Sequence, residues 1–371
     1  MSRPSPAQRT PRGPSRRRLP LLALSAALAL LLPLSTLSAS TSTAAEPGTT
    51  TTFTALAWPG ATVKAGSSPR VNGAIEGWKA GRRVYLEQLV RGYGWLVVGG
   101  ATTDSAGRFA LTLPTSWLHE ALPYRVRVPA TPRATQAISP ASYHGVVPAR
   151  SLKGKRSWWT RIEPGVRYRY NACQVIPWRV NLKAARPGAL RDAKEAIRRL
   201  GVATGITFEY RGQTSHRTGN LETWPEDTNL VIAWLTPKQS PKKFPGRVVA
   251  WGGPQQGLWM RDYEGRTAMT TKSRVLINGN VKVPNGFRPS KDGGGPQVGL
   301  NSRGTILMHE LGHAAGLGHV LKRTGQMMSY KSTTQYEAGD LGGLNEVGKA
   351  QGCMLPLQGA SRLAPPPRLD D

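Results

Sequence analysis

The segment HELGHAAGLGHV, residues 309–320, concentrates side chains whose types and spacing suit metal binding. It places three of the six histidines of the chain within eleven positions, beside one glutamate. On a helix, His309 and His313 lie one turn apart and point the same way, so both imidazoles can reach one ion. Gly316 then allows the chain to leave the helix, and the turn returns His319 as a third ligand.

This residue set predicts a catalytic zinc site rather than a structural one. Three neutral nitrogen ligands leave one coordination position for water, which is the arrangement of catalytic zinc. Zinc lowers the pKa of that water to about 7 and polarises a bound carbonyl. Glu310 lies about 100° around the helix from His309, so its carboxylate can carry the proton of the water to a leaving amine without binding the metal. Three histidines without a metal would not account for so specific a spacing.

Patterns around this segment predict the elements that position it. The stretch RGTILMHELGHAAG is typical of a helix with small and apolar residues opposite the histidines. A strand and a long helix precede it, and Gly201 or Gly205 is expected to end that long helix. The order of elements indicates an α+β catalytic domain over residues 158–357, followed by a flexible tail over residues 358–371. The strands are predicted at VIPWRVNL, ITFEYRG, NLVIAWL, RVVAWGG and RVLING.

The amino-terminal part of the chain carries three further patterns. Residues 1–45 combine an arginine-rich opening, an apolar run and small residues, which is the layout of a secretion signal cleaved near Ala39 to Ala45. The apolar run is short and contains prolines, which argues against an uncleaved membrane anchor. Residues 46–130 alternate apolar and polar side chains between frequent turns, which predicts a small antiparallel β-sandwich. Residues 131–157 have the composition of a flexible linker.

Composition limits the partners that we expect. The chain has 50 basic and 21 acidic residues and a net charge of +29, which favours contact with anionic cell walls, polymers or acidic proteins. A merely well-solvated surface is the alternative. No zinc knuckle, helix-turn-helix or basic–aromatic run indicates a specific nucleic-acid ligand. No second apolar run reaches spanning length, so we expect a secreted, extracellular monomer with no stable membrane span after signal cleavage.

Two cysteines, Cys173 and Cys353, lie far apart in the sequence. In the oxidising compartment that the signal implies, they most simply form one disulfide. A free thiol, including one that blocks the metal in a latent enzyme, is the alternative.

The segment HELGHAAGLGH resembles the long zinc motif of the metzincin metalloendopeptidases. Metzincins also carry a methionine turn below the metal, and GQMMSY follows the third histidine. Because MSY is similar to the MHY of astacins, the resemblance implies that Met328 is the turn methionine, with Met327 as the alternative. It also implies that Tyr330 lies near the metal and supports the transition state.

The segments YNACQVIPWRVN and GDLGGLNEVGKAQGC resemble actinobacterial matrixin-like secreted peptidases, in which Cys173 and Cys353 would pair. This resemblance implies a metzincin-like fold with a twisted mixed sheet, a long helix and an active-site helix. An edge strand at residues 247–253 would then bind extended substrate. The predicted sandwich resembles bacterial immunoglobulin-like accessory domains. If exposed there, Trp95 or Trp117 would suit sugar binding, although tryptophan in a sandwich is more often in the core.

The sequence therefore predicts a secreted zinc-dependent endopeptidase that acts on a protein or peptide substrate, with Glu310 as the general base. Two alternatives stay open: a zinc hydrolase of cell-wall peptide or amide bonds, and a catalytically inactive metzincin-fold binding module. One Zn²⁺ is the predicted cofactor. Calcium is not indicated, because no EF-hand pattern is present, although other kinds of calcium site stay open.

Overall fold

The structure is a computed structural model in which the chain is mixed α+β, mostly sheet with few helices. The predicted signal over residues 1–45 lies outside the described residues. None of the described helices is both long enough and apolar enough to cross a membrane. The residues that the structure describes are 48–245, 248–262, 265–288, 302–320, 325–329, 333–356 and 362–363.

Residues 48–147 form two sheets that face each other, which we call the two-sheet unit. One sheet has the order β1-β3-β6, and the other has the order β2-β9-β7-β4-β5, with β8 paired to β7. Alternate residues of both sheets point inward into one shared core, as the period of the sequence predicts. The strands are β1 (Thr52–Ala57), β2 (Thr62–Lys64), β3 (Arg70–Glu76), β4 (Arg83–Val90), β5 (Gly94–Thr102), β6 (Arg108–Thr112), β7 (His119–Val128), β8 (Ala137–Ile138) and β9 (Ser142–Val147).

The structure differs from the flexible linker predicted over residues 131–157. Strands β8 and β9 lie within this range, and both pair with β7. The inward-facing positions of β9 include His144, which is buried and bonds to Gly60 O. A polar residue at an inward position hides the apolar alternation by which a strand is recognised.

The rest of the described chain forms a second sheet system with three helices. Its helices are α1 (Ala189–Thr204), α2 (Arg303–Ala314) and α3 (Ala338–Val347), followed by a short 3₁₀ turn (Lys349–Gln351). Its strands are β10 (Tyr168–Arg169), β11 (Ile176–Asn181), β12 (Phe208–Gln213), β13 (Leu230–Leu235), β14 (Ala250–Asp262), β15 (Gly265–Asn278), β16 (Leu355–Pro356) and β17 (Arg362–Leu363). In the predicted tail only β17 is described, and it pairs with β14.

The main strands of this sheet run in the order β12-β11-β13-β15-β14. Neighbouring strands are parallel except β14, which is antiparallel to β15. All six residues of β13 are buried, because alternate side chains enter two different cores. Leu230, Ile232 and Trp234 pack with the helices α1 and α2, whereas Val231 and Leu235 pack with Trp224 on the opposite face.

The two-sheet unit packs directly onto this second part. Leu118 N donates a hydrogen bond to Val202 O of α1 at 2.7 Å. Gly205 caps α1 in a left-handed conformation (φ 72°), and a Cβ there would lie 2.5 Å from the Trp117 ring. Trp117 is therefore buried, in agreement with a core role rather than an exposed sugar-binding one.

A disulfide joins Cys173 to Cys353, as predicted. It links the segment before β11 to the chain after α3. Cys353 N also donates to Arg91 O, at 2.9 Å, in the turn between β4 and β5. The same carboxy-terminal segment is thus fixed to both parts of the molecule.

Candidate metal centre

Helix α2 places two histidines deep in the molecule. It begins after Ser302, whose backbone N–H donates to Thr305 Oγ1 at 3.2 Å, and all twelve of its residues are buried. The helix ends before Gly316, which has a φ of 112° and whose Cβ position would be filled by Tyr168 O. Only glycine satisfies both conditions, so the predicted role of Gly316 in the turn agrees with the backbone.

The Nε2 atoms of the three histidines converge on one point. His309 Nε2 lies 3.1 Å from His313 Nε2 and 3.1 Å from His319 Nε2, and the last pair is 3.0 Å apart. His309 and His313 are buried and His319 is partly exposed, so the cluster opens toward solvent on one side. Among the described residues, this is the group of side chains that can hold a metal ion.

Backbone carbonyls set the tautomers of the two helical histidines. His309 Nδ1 lies 2.7 Å from Met327 O, and His313 Nδ1 lies 2.8 Å from Leu317 O. A carbonyl oxygen only accepts, so each Nδ1 carries the proton and each Nε2 presents its lone pair. Unprotonated nitrogens this close repel one another unless a cation lies among them. The arrangement therefore has the donor set of a metal site.

Burial keeps these imidazoles neutral. It lowers the pKa of His309 to about 3, with a further lowering from the charge of His319 and an opposing effect of the bond to Met327 O. Burial also lowers the pKa of His313, and charges on His309 and His319 lower it further. Neutral imidazole is the form that binds a metal ion.

Met328 lies directly beneath the helix. Its side chain fills the space that a Cβ on Gly312 would need, with its Cε 3.1 Å from that Cβ position and its sulfur closer still. Met327 is buried as well, and its carbonyl oxygen lies 2.7 Å from His309 Nδ1. Of the two methionines considered, Met328 is the one whose side chain contacts Gly312 of the histidine helix.

Asp340 of α3 holds this methionine segment, a role that the sequence analysis did not predict. Its carboxylate accepts hydrogen bonds from Met327 N (2.7 Å), Met328 N (3.0 Å) and Glu337 N (2.9 Å). Burial raises its pKa to about 6, although these three bonds act in the opposite direction. Asp340 thereby fixes the carbonyl of Met327, which in turn orients His309.

The segment before β10 holds the third histidine. Thr160 Oγ1 donates to His319 O at 2.9 Å, and Gly318 N donates to Thr160 O at 2.8 Å. Ile162 N donates to Gly316 O at 3.0 Å on the same side. His319 thus depends on contacts with a segment about 160 positions earlier, which was also not predicted.

The remaining predicted residues are placed as follows. Glu310 is buried on α2 next to His309. Tyr330 lies outside the described residues. Of the predicted edge strand, residues 250–253 belong to β14, and no described strand pairs with residues 250–256 on the side away from β15. Gly252 of β14 touches the backbone of Glu310, so this strand lies beside α2.

The sequence matches no protein-family model, and no curated protein matches it.

Proposed function

We propose that the chain is a zinc-dependent endopeptidase and that His309, His313 and His319 hold the zinc ion. The observation that carries this proposal is the convergence of three Nε2 atoms at 3.0–3.1 Å, two of them with their tautomers set by backbone carbonyls. Histidine nitrogens bind zinc at about 2.0–2.1 Å. Three nitrogens about 3.1 Å apart have their centre about 1.8 Å from each, so the three side chains could hold one ion at close to that bond length.

Zinc at this position would supply a Lewis acid that polarises a peptide carbonyl and makes water more acidic. Glu310 follows the first ligand on the same helix and is buried, which suits a carboxylate that accepts a proton from the attacking water. The same carboxyl group would then return the proton to the leaving amine. Three nitrogen ligands, rather than four, leave room for this reaction and favour a catalytic over a structural site.

Substrate would bind in extended form along residues 250–256 of β14. This part of the strand is antiparallel to β15 and adjoins α2 at Gly252. Backbone pairing with such an edge provides affinity with little demand on sequence.

The metzincin resemblance of the zinc motif supports the proposed endopeptidase function, as do the mixed sheet and the 16-residue helix α1. We infer a metzincin-like fold for this part and an immunoglobulin-like sandwich for the two-sheet unit, in a protein exported with its signal removed.

Replacing Glu310 by Gln tests the enzyme against an inactive binding module. The variant keeps the shape of the side chain and all three histidines, so zinc content by elemental analysis should equal that of the unaltered chain. Hydrolysis of a peptide library should fall by about 10²–10⁴-fold, as expected for a lost general base. His313→Ala should instead lose the zinc together with the activity.

Glu209→Gln is a matched control, because Glu209 is an exposed carboxylate on β12. It should leave both zinc content and hydrolysis unchanged. Equal rates for Glu310→Gln and the unaltered chain would exclude Glu310 as the base. A chain that binds no zinc after reconstitution would exclude the proposal as a whole.

A further inference from the structure

The outer face of the sheet β2-β9-β7-β4-β5 carries an unusual set of side chains. In β4 and β7, Val84, Leu86 and Val126 point into the core of the two-sheet unit. Their neighbours in sequence must point the other way, because side chains alternate along a strand. We call the resulting surface the arginine–aromatic face, which consists of Tyr85, Trp95, Val97, Arg125, Arg127 and Tyr143 around Glu87.

Glu87 holds the two arginines at the centre of this face. Its carboxylate accepts from Arg125 Nε at 2.8 Å and from Arg127 Nε at 2.5 Å. The Arg125 guanidinium lies 4.2 Å from the centre of the Trp95 ring, and that of Arg127 lies 5.1 Å from the centre of the Tyr85 ring. Each guanidinium is therefore fixed along its Nε edge and over one ring.

The outer ends of both arginines remain available. The Nη atoms of Arg125 and Arg127 make no hydrogen bond to any residue that the structure describes. Both side chains are about one quarter exposed, whereas Glu87 is buried beneath them. Two donor groups about 7 Å apart along β7 thus face solvent in fixed orientations. A fixed guanidinium loses little entropy when it binds an anion.

Exposed apolar side chains surround this centre. Seven large hydrophobic side chains are exposed in the described part of the chain. Val97 and Tyr143 lie on this face, and Tyr93 and Ile138 lie at its rim. Tyr143 is 59% exposed and Val97 is 50% exposed. Such clustering on one sheet distinguishes a binding surface from scattered surface residues.

The charge of the face favours an anionic partner. Arg83 is exposed on the same side of β4, so the face carries three arginines against the single buried Glu87. The separated tyrosine rings suit the apolar faces of sugar rings, and the guanidinium ends suit carboxylate or sulfate groups. We propose that the arginine–aromatic face binds an acidic polysaccharide.

A nucleic acid fits this face less well. Single-stranded nucleic acids stack successive bases on aromatic rings and need a continuous cationic groove. Here guanidinium groups already lie over Trp95 and Tyr85, and the exposed rings of Tyr143 and Tyr93 are isolated from each other. The surface is also an open sheet face that offers only two surplus positive charges.

The test measures binding of the full chain to polygalacturonate, a polymer of carboxylated sugar rings, at fixed ionic strength. The triple variant Glu87→Gln/Arg125→Gln/Arg127→Gln removes both guanidinium groups without leaving an unpaired buried charge. We expect its dissociation constant for polygalacturonate to rise by about tenfold or more. Tyr143→Ser should weaken binding several-fold, and neutral dextran should not bind.

Arg70→Gln/Arg108→Gln is the matched control, because both arginines are exposed on the opposite sheet. It removes more net charge than the triple variant does, yet binding should change less than about twofold if the face acts through its geometry. Circular dichroism melting shows that each variant is folded. Equal losses in the control and the triple variant would overturn the proposal. Tighter binding of oligo(dT) or poly-L-glutamate than of polygalacturonate, with the same response to the triple variant, would also overturn it.

Discussion

Gly252→Ala should disturb the metal centre from outside its ligand set. Gly252 lies on β14 where this strand crosses the backbone of α2 at Glu310. Its φ does not lie in the left-handed region, so alanine can adopt the backbone conformation. The effect of the substitution therefore comes from the added methyl group alone.

The size of the effect follows from the contacts of that methyl group. A Cβ at residue 252 would lie 2.8 Å from both Cα and C of Glu310, and it would overlap the Glu310 carbonyl oxygen. Carbon atoms pack best at about 3.5 Å or more, so β14 and α2 must separate by about 0.7 Å. Overpacking of this kind costs about 1–3 kcal/mol in the free energy of unfolding. Because α2 carries His309 and His313, we expect zinc affinity to fall by about tenfold or more.

Urea unfolding and competition with a zinc chelator measure the two effects separately. Gly219→Ala is the matched control, since a Cβ there meets nothing within 4 Å and its φ is also outside the left-handed region. The control shares the entropic effect of Gly→Ala on the unfolded chain, which therefore cancels in the comparison. If both variants had the same unfolding midpoint and zinc affinity, the close contact between β14 and α2 would be refuted.

Three further predictions concern stability. The pKa of His309 is lowered to about 3 and that of His313 is also lowered, so below pH 6.5 the unfolded metal-free chain binds protons that the folded chain does not. Its free energy of unfolding should fall by up to about 1.4 kcal/mol per pH unit for each histidine as the pH drops from 6.5 toward 3. The His309→Ala/His313→Ala variant should lack this slope, so the slope should appear in the difference between the two chains. Replacing Cys173 and Cys353 by serine should lower the free energy of unfolding by about 2–5 kcal/mol, because the bond spans 180 positions; an unchanged urea midpoint would contradict this. Trp117→Ala should cost about 3–5 kcal/mol in the same assay, and a loss below 1 kcal/mol would mean that the two-sheet unit contributes little through this contact.

Elements with a strong local period could be predicted from the sequence. Helix α1 has apolar residues at helical spacing and ends at Gly205, one of the two glycines considered. Strand β13 is a short apolar run, and both of its faces are buried. For the long hairpin of β14 and β15, the sequence predicts only the beginning of β14 and the end of β15 as strand. Its middle contains buried polar residues such as Gln255 and Thr267, which resemble a loop in sequence although the sheet encloses them.

Within the candidate site, too, the sequence predicts what local spacing determines but not what long-range packing determines. Spacing on one helix determines how His309 and His313 meet, so the sequence alone predicts their convergence. Asp340 and Thr160 act through contacts that depend on how α3 and the segment before β10 pack. No local pattern encodes those contacts, because each residue lies far in sequence from the backbone group that it holds.

The contacts before residue 158 determine where the polypeptide can be divided. A fragment that starts there would carry all three histidines but would lose the ion pair between Arg150 and Glu337 and the bond from Lys153 N to the same carboxylate. It would also expose the apolar surface of α1 that Trp117 and Leu118 cover. Expression of the histidine-bearing part alone would therefore produce an aggregation-prone polypeptide. The smallest fragment suited to crystallisation or protein engineering must retain the two-sheet unit.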